Sequence, residues 1–375
     1  MSHATTDPSQ VEIDRSHMRA ALALARRGLG TVWPNPAVGC VIVKDGRVVG
    51  RGWTQPGGRP HAETEALAMA GKAASGSTAY VTLEPCAHHG KTAPCAEALI
   101  SAGIVRVVVA VQDPDARVAG KGVEMLMRAG VKVVEGVLEA EAAEINAGFF
   151  MRVTTGRPLV TLKLASTLDG RIATHSGESR WITGPAARTV AHMLRAENDV
   201  IMVGSGTALY DDPDLSCRLA GLAECSPVRV VVDGRLRLPL TSRLVATAND
   251  IPTWVLTLEG CDRLRREAYE EAGVDVVELP AGADGAIDLE MALEALAESG
   301  VTRVLVEGGA HLAAALLRAG LVDRLIWFRA PRLMGGDGLA AAVAFGVDHL
   351  AQTPRFERID VRPVGDDVME LYTRL

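Results

Sequence analysis

Three short motifs in the first part of the chain carry side chains able to hold a metal and move protons: His61-Ala62-Glu63, Pro85-Cys86 and Pro94-Cys95. An imidazole and two thiolates form a soft-to-borderline donor set suited to Zn²⁺, and three protein ligands leave the fourth tetrahedral position to water. Zinc lowers the pKa of such a water toward neutrality, giving a hydroxide able to attack an amidine-like ring carbon and expel ammonia. Glu63, two residues from His61, suits the role of proton carrier from water to the ring nitrogen and leaving amine, and is not expected to be a ligand. Taken singly, a helix-opening His caps or is solvated, and an isolated Cys is a small buried hydrophobe. Together, each at an element boundary, they favour zinc. A structural zinc would instead recruit a fourth ligand, for which His88 and His89 lie between the two cysteines.

The second half carries a different set. Lys163-Leu164-Ala165-Ser166-Thr167-Leu168-Asp169-Gly170 ends a strand and turns sharply, Ser179–Thr183 follows, and Arg195 falls near a helix end. Val306-Glu307-Gly308-Gly309-Ala310 reads as a strand, a glycine turn and a helix start, so that backbone N–H groups and the helix terminus can face an anion. The dinucleotide fingerprint is absent, since Gly204-Ser205-Gly206 lacks the third glycine, which disfavours a Rossmann domain. On spacing alone, Lys163 and Glu307 read as an ordinary salt bridge. Arg195 and Arg218 read either as surface charges or as a phosphate fork.

These residues need elements to hold them. Residues 1–14 read as a loose lead-in, followed by a helix over Ser16–Arg27 with Ser16 as N-cap. Val38–Val43 and Val48–Gly52 flank Asp45-Gly46, a hairpin signal. Helices are expected over 62–71, 95–102 and 120–129, and strands over 79–83, 105–111 and 131–134, an α/β sandwich. Residues 146–157 read as a bridging stretch, with Gly156 and Pro158 marking a boundary. Beyond it, strands at 159–165, 200–203, 228–232, 254–257, 303–306 and 324–328 alternate with helices at 185–197, 288–298 and 310–318. A hairpin around Gly365-Asp366-Asp367 closes the chain.

Composition narrows the function. The 375 residues are enough for two domains with a core each, expected over 12–150 and 157–375. At 48% hydrophobic and 23% charged, the chain is not a mainly disordered one. A net charge of −7 gives no long-range pull toward nucleic acid or anionic membrane, and five Phe, five Trp and four Tyr are too few for base-stacking stripes. No stretch approaches the roughly 18 apolar residues of a membrane helix, and residues 1–17 lack an apolar signal core, so a cytoplasmic protein is expected. The six Cys are expected to be free, buried or metal-bound.

The motifs resemble a known family. His61-Ala62-Glu63, Pro85 through Cys95 with eight residues between the cysteines, and Pro34-Asn35-Pro36-Ala37-Val38-Gly39-Cys40-Val41 resemble the deaminase domain of the RibD family of riboflavin-biosynthesis enzymes. Lys163–Gly170, Ser179–Thr183, Thr207–Arg218 and Glu307–Gly309 resemble its reductase domain. The resemblance covers nearly the whole chain. It implies a cytidine-deaminase-like three-layer α/β/α domain followed by a dihydrofolate-reductase-like α/β domain. It also implies zinc and NADPH as cofactors, phosphoribosylaminopyrimidine substrates and a homo-oligomer. Asn35, His88 and Lys91 would contact the deaminase substrate. Ala165, Trp181, Thr207, Asp211, Gly234 and the run Gly309, Ala310, His311, Leu312, Ala313, Ala314 and Ala315 would line the NADP site. Ser179, Arg195, Leu215, Arg218 and Glu307 would meet the second substrate, with Lys163 and Glu307 the polar pair around the opened ribose. The sequence departs from the family pattern at Thr54, where many members carry His, and at Ala93, where Pro is frequent.

Overall fold

The computed structural model describes residues 8–88, 93–115 and 119–375. The chain divides into two compact units, one ending at Gly156 and the other running from Arg157 to Leu375. In chain order the first contains α1 (Pro8–Ala25), β1 (Gly39–Lys44), β2 (Arg47–Trp53), α2 (Ala62–Ala70), β3 (Thr78–Leu83) and α3 (Cys95–Ser101). There follow β4 (Arg106–Val111), α4 (Lys121–Arg128), β5 (Lys132–Val134), α5 (Glu139–Ile145) and α6 (Ala147–Thr155).

The strands form a sheet in the order β2-β1-β3-β4-β5, antiparallel across β2-β1-β3 and parallel across β3-β4-β5. Asp45 and Gly46, both at positive φ, make the β1–β2 turn that the Asp-Gly pair demands. Gly39 and Gly52 show how the layers stack. Gly39 pairs with Trp53 and Gly52 with Cys40, so the two glycines point to opposite faces. A Cβ on Gly39 would meet the Ala21 carbonyl of α1 at 1.9 Å, and one on Gly52 the Ala62 carbonyl of α2 at 2.2 Å. Helices thus cover both faces of one sheet, the expected three layers, with Cys40, Val41, Ile42, Val107, Val108 and Val109 buried between them.

In chain order the second unit contains β6 (Leu159–Thr167), β7 (Arg171–Ala173), α7 (Pro185–Ala196), β8 (Val200–Gly204), α8 (Ser205–Asp211), β9 (Val228–Val232), α9 (Arg243–Ala246) and β10 (Thr253–Leu258). Next come α10 (Arg263–Glu271), β11 (Asp275–Leu279), α11 (Leu289–Glu298), β12 (Arg303–Glu307), α12 (Ala310–Arg318) and β13 (Arg324–Ala330). The chain ends with β14 (Leu339–Ala340), β15 (Phe356–Val364) and β16 (Asp367–Arg374). The main sheet runs β11-β10-β9-β8-β12-β6-β13-β16-β15, parallel from β11 to β13 and antiparallel beyond. The carboxyl ends of β6, β8, β9 and β12 therefore share one edge, where α/β sheets place ligands.

The structure corrects three expectations. The lead-in is helical from Pro8, because Asp14 is buried and takes both Arg106 guanidinium nitrogens, at 2.9 and 2.6 Å, and the Tyr80 hydroxyl at 3.0 Å. The bridging stretch is α6, which α5 precedes. α8, α10 and β11 are additional elements; α10 buries Tyr269 alone, so it has no apolar stripe to read.

Candidate active sites

In the first unit, β3 delivers the chain to Cys86, while α2 and α3 begin at the other two donors: His61 is the N-cap residue of α2 and Cys95 opens α3. The His61 Nδ1, Cys86 Sγ and Cys95 Sγ atoms all lie within 4.8 Å of one another. His61 Nδ1 is 3.3 Å from Cys95 Sγ and 3.8 Å from Cys86 Sγ, and the Cys95 N–H donates to Cys86 Sγ at 3.3 Å. The hydrogen bond from the Cys95 thiol draws the Cys86 thiol down to about 4, with burial opposing and His61 and the Cys95 N–H assisting, while Cys95, as the donor of that side-chain bond, is pushed up by it and by burial. Cys86 is thus drawn toward the thiolate while Cys95 holds its proton against it, and the donor set fits zinc.

Among the described residues these three form the one such metal-holding group. His88 is exposed and is not in it. His89 and Lys91 lie outside the described residues. Glu63 sits in the first turn of α2, 3% exposed, and burial pushes its carboxyl pKa up, with the Cys86 sulfur adding and His61 opposing. Asn35 is half-buried against Gly58, where a Cβ would meet its Nδ2 at 1.8 Å. Thr54 is a strap for the same loop: its Oγ1 accepts the Val38 N–H at 3.1 Å and its N–H donates to the Val38 carbonyl at 2.9 Å. Glu84 carries no sequence signal of its own. Its buried carboxylate accepts the N–H groups of Gly120 and Gly122 at 2.9 Å, filling the start of α4 beside the Pro85-Cys86 turn. Only its place next to Pro-Cys could draw attention to it.

In the second unit Lys163 and Glu307 are register partners on the neighbouring strands β6 and β12. Lys163 Nζ lies 3.5 Å from Glu307 Oε2, and Arg195, near the end of α7, grips the same carboxylate through Nε at 2.7 Å and Nη2 at 3.0 Å. Arg195 also donates to the Ser216 carbonyl at 2.9 Å. Burial works to raise the Glu307 pKa, but Lys163 and Arg195 outweigh it and hold the carboxyl at about 2. The arginine expected as part of a phosphate fork is therefore engaged with Glu307, which leaves Arg218, exposed, as the freer member of that pair.

Gly308 and Gly309, at φ of 85° and 87°, turn β12 into α12 in a conformation that glycine tolerates. A Cβ on Gly309 would meet Thr207 Oγ1 of α8 at 3.2 Å, so two expected cofactor residues converge here with the run through Ala315 that forms α12. Ala165 lies on β6 and Asp211 ends α8. Trp181, 62% exposed, stacks beneath the Arg188 guanidinium at 4.5 Å. Gly234 follows β9 but lies against the Leu258 and Ile287 side chains. Ser179 lies in the segment between β7 and α7, and Leu215 is buried at a φ of 61°. His192 of α7, which no motif marks, accepts the Arg218 N–H at Nδ1, 3.3 Å away.

A metal-dependent deaminase fused to a reductase is the class this pair of sites defines. The family of the cytidine and deoxycytidylate deaminase zinc-binding region matches residues 11–111, and that of the RibD C-terminal domain matches residues 158–369. The riboflavin biosynthesis protein RibD of Escherichia coli (strain K12) is 44% identical over 95% of this chain and 98% of its own length. That of Aquifex aeolicus (strain VF5) is 41% identical over 97% and 99%. The solved RibD structure from Acinetobacter baumannii (form 1) has a TM-score of 0.87 at 41% identity, covering 97% of this chain and 99% of its own. A Thermotoga maritima structure, described as a diaminohydroxyphosphoribosylaminopyrimidine deaminase and 5-amino-6-(5-phosphoribosylamino)uracil reductase, has a TM-score of 0.85 at 35% identity, covering 98% and 100%. The chain belongs to the RibD family, and it is a bifunctional deaminase and reductase of riboflavin biosynthesis with zinc and NADPH as cofactors.

Proposed function

We propose that residues 12–150 form a zinc-dependent deaminase domain and residues 157–375 an NADP-dependent reductase domain acting on successive forms of one pyrimidine. The first removes the 2-amino group of 2,5-diamino-6-(5-phosphoribosylamino)pyrimidin-4(3H)-one. The second reduces the ribosyl group of the resulting 5-amino-6-(5-phosphoribosylamino)uracil to the ribityl chain. The convergence of His61, Cys86 and Cys95 donors within 4.8 Å carries this reading, and the two activities of the Thermotoga maritima relative are its chemical parallel.

His61, Cys86 and Cys95 would hold the metal. When bound, zinc supplies a water of lowered pKa and NADPH supplies a hydride. Glu63, buried beside the three donors, takes the proton of the attacking water and delivers it to the ring nitrogen and the departing amine. Asn35 hydrogen-bonds the pyrimidine, His88 is a further substrate contact, and Lys91 favours the substrate phosphate.

In the second domain, Ala165, Trp181, Thr207, Asp211, Gly234 and Gly309 through Ala315 bind the cofactor. Ser179, Leu215 and Arg218 orient the substrate, with Arg195 acting through Glu307. Glu307 remains a carboxylate throughout the neutral range, so it accepts hydrogen bonds from the sugar hydroxyls and does not supply a proton. Lys163, the donor of the pair, gives the proton that accompanies reduction at C1′ of the open imine.

Among the described residues no helix is long and apolar enough to cross a membrane, and small-molecule substrates fit the family. We extend the proposal to a cytoplasmic homo-oligomer that does not act on nucleic acid. The net charge of −7 supports the last point, and the exposed outer strand β15, with Ile359 and Val361 uncovered, supports self-association. The test is one assay on the diaminopyrimidine with and without NADPH, reading ammonia and NADPH separately. Ammonia released in both arms and NADPH consumed only after deamination is the expected result; tRNA as the better ammonia source would overturn it.

A further inference from the structure

We propose, building on the substrate role given to Arg218 above, that His192 is a positioning residue of the reductase. It latches the Arg218 backbone so that the guanidinium of that residue faces the substrate phosphate.

The segment that carries Arg218 has little regular structure to hold it. Asp212 and Leu215 both sit at positive φ, 38° and 61°, a region costly for residues with a Cβ unless their surroundings enforce it. Three successive backbone N–H groups are then taken by side chains: Ser216 N–H by Asp214 at 3.1 Å, Cys217 N–H by the Ser226 hydroxyl at 3.1 Å, and Arg218 N–H by His192 at 3.3 Å. α7 supplies the outermost of these. Its Arg188, His192 and Arg195 are spaced by four and three residues and so share one face. Arg188 holds Trp181 and the Thr183 carbonyl, and Arg195 holds Glu307 and the Ser216 carbonyl. One helix face thereby fixes a cofactor-side ring, the carboxylate and both ends of the Ser216–Arg218 turn.

An imidazolium has no lone pair, so the latch requires the neutral ring with its proton on Nε2. Burial and the Arg195 and Arg218 guanidiniums disfavour the charged ring, while Glu307 and the Ser216 carbonyl favour it. Asp214 faces Arg218 from the turn itself. The net shift is downward. The latch is therefore closed at neutral pH and opens when acidification passes below the usual histidine range.

The experiment uses the full chain with zinc bound, saturating NADPH and the phosphoribosylaminouracil as substrate. His192→Ala should raise KM about fivefold, the loss of one neutral hydrogen bond, with kcat within about twofold and NADPH affinity unchanged. His192→Asn, whose Oδ1 takes the place of Nδ1, should restore KM and abolish its rise at acid pH. An unchanged KM in His192→Ala, a matching fall in kcat and NADPH affinity, or an asparagine variant as impaired as the alanine would each overturn the latch. Arg218→Ala, run in parallel, separates the failures. If it raises KM while His192→Ala does not, the latch alone fails; if it leaves KM unchanged, the substrate reading falls and takes the latch with it.

Discussion

The two active sites are built on opposite plans. The candidate metal donors sit where a strand ends and two helices begin, inside the short span from His61 to Cys95, and Glu63, the proposed proton carrier, is in the first turn of one of those helices. The reductase triad joins Lys163, Arg195 and Glu307 from two strands and a helix, with the arginine and the carboxylate 112 positions apart in the chain. The first plan fixes neutral or thiolate donors with backbone N–H groups and leaves their charge to be neutralised by a cation. The second neutralises its own carboxylate with two cations already in the protein. A self-compensated site is set by protein–protein contacts alone, whereas the deaminase site needs its metal to complete the charge balance.

Perturbations that separate the plans should act on one activity at a time. Glu63→Gln should lower ammonia release about a thousandfold while zinc content and NADPH oxidation on preformed aminouracil stay unchanged; retained ammonia release would remove Glu63 from its role. Glu307→Gln should lower NADPH oxidation about a hundredfold and leave ammonia release intact. Because Glu307 is held near 2, its ionisation should also leave no acid limb in the reductase pH profile above about pH 4. Such a limb persisting in His192→Asn would contradict the self-compensated triad.

Stability effects should be smaller. Asp14→Asn should cost the first unit about 2 kcal/mol in denaturant unfolding, since the charged hydrogen bonds from Arg106 are lost. The Asp14 carboxyl titrates below its ordinary value, burial opposing and Arg106 prevailing. Its contribution is thus present above the unfolded carboxylate pKa and disappears as pH falls through the lower folded one. Thr54→Val should be milder, about 1 kcal/mol, through the unpaired Val38 N–H.

The same contrast governs what can be read from the chain. The zinc set is legible because its members lie at element boundaries in one local stretch, and Gly-Gly announces the β12–α12 turn. Lys163 and Glu307 look like any salt bridge until β6 and β12 are known to be neighbours, and only the family resemblance singles them out. The first turns of α1 escape a sequence reading because a buried Asp14 has no apolar signature; its partner Arg106 is 92 residues away. His192 is unreadable for a similar reason, since it holds a backbone amide, and an amide carries no residue identity.

Gly122 gives the deaminase a remote weakness. A Cβ there would lie 1.9 Å from the Pro85 carbonyl, immediately before Cys86 of the proposed metal set. Any larger residue at this position would have to push back the backbone of the Pro85-Cys86 turn, so the placing of one metal-donor candidate depends on a glycine that donates nothing itself.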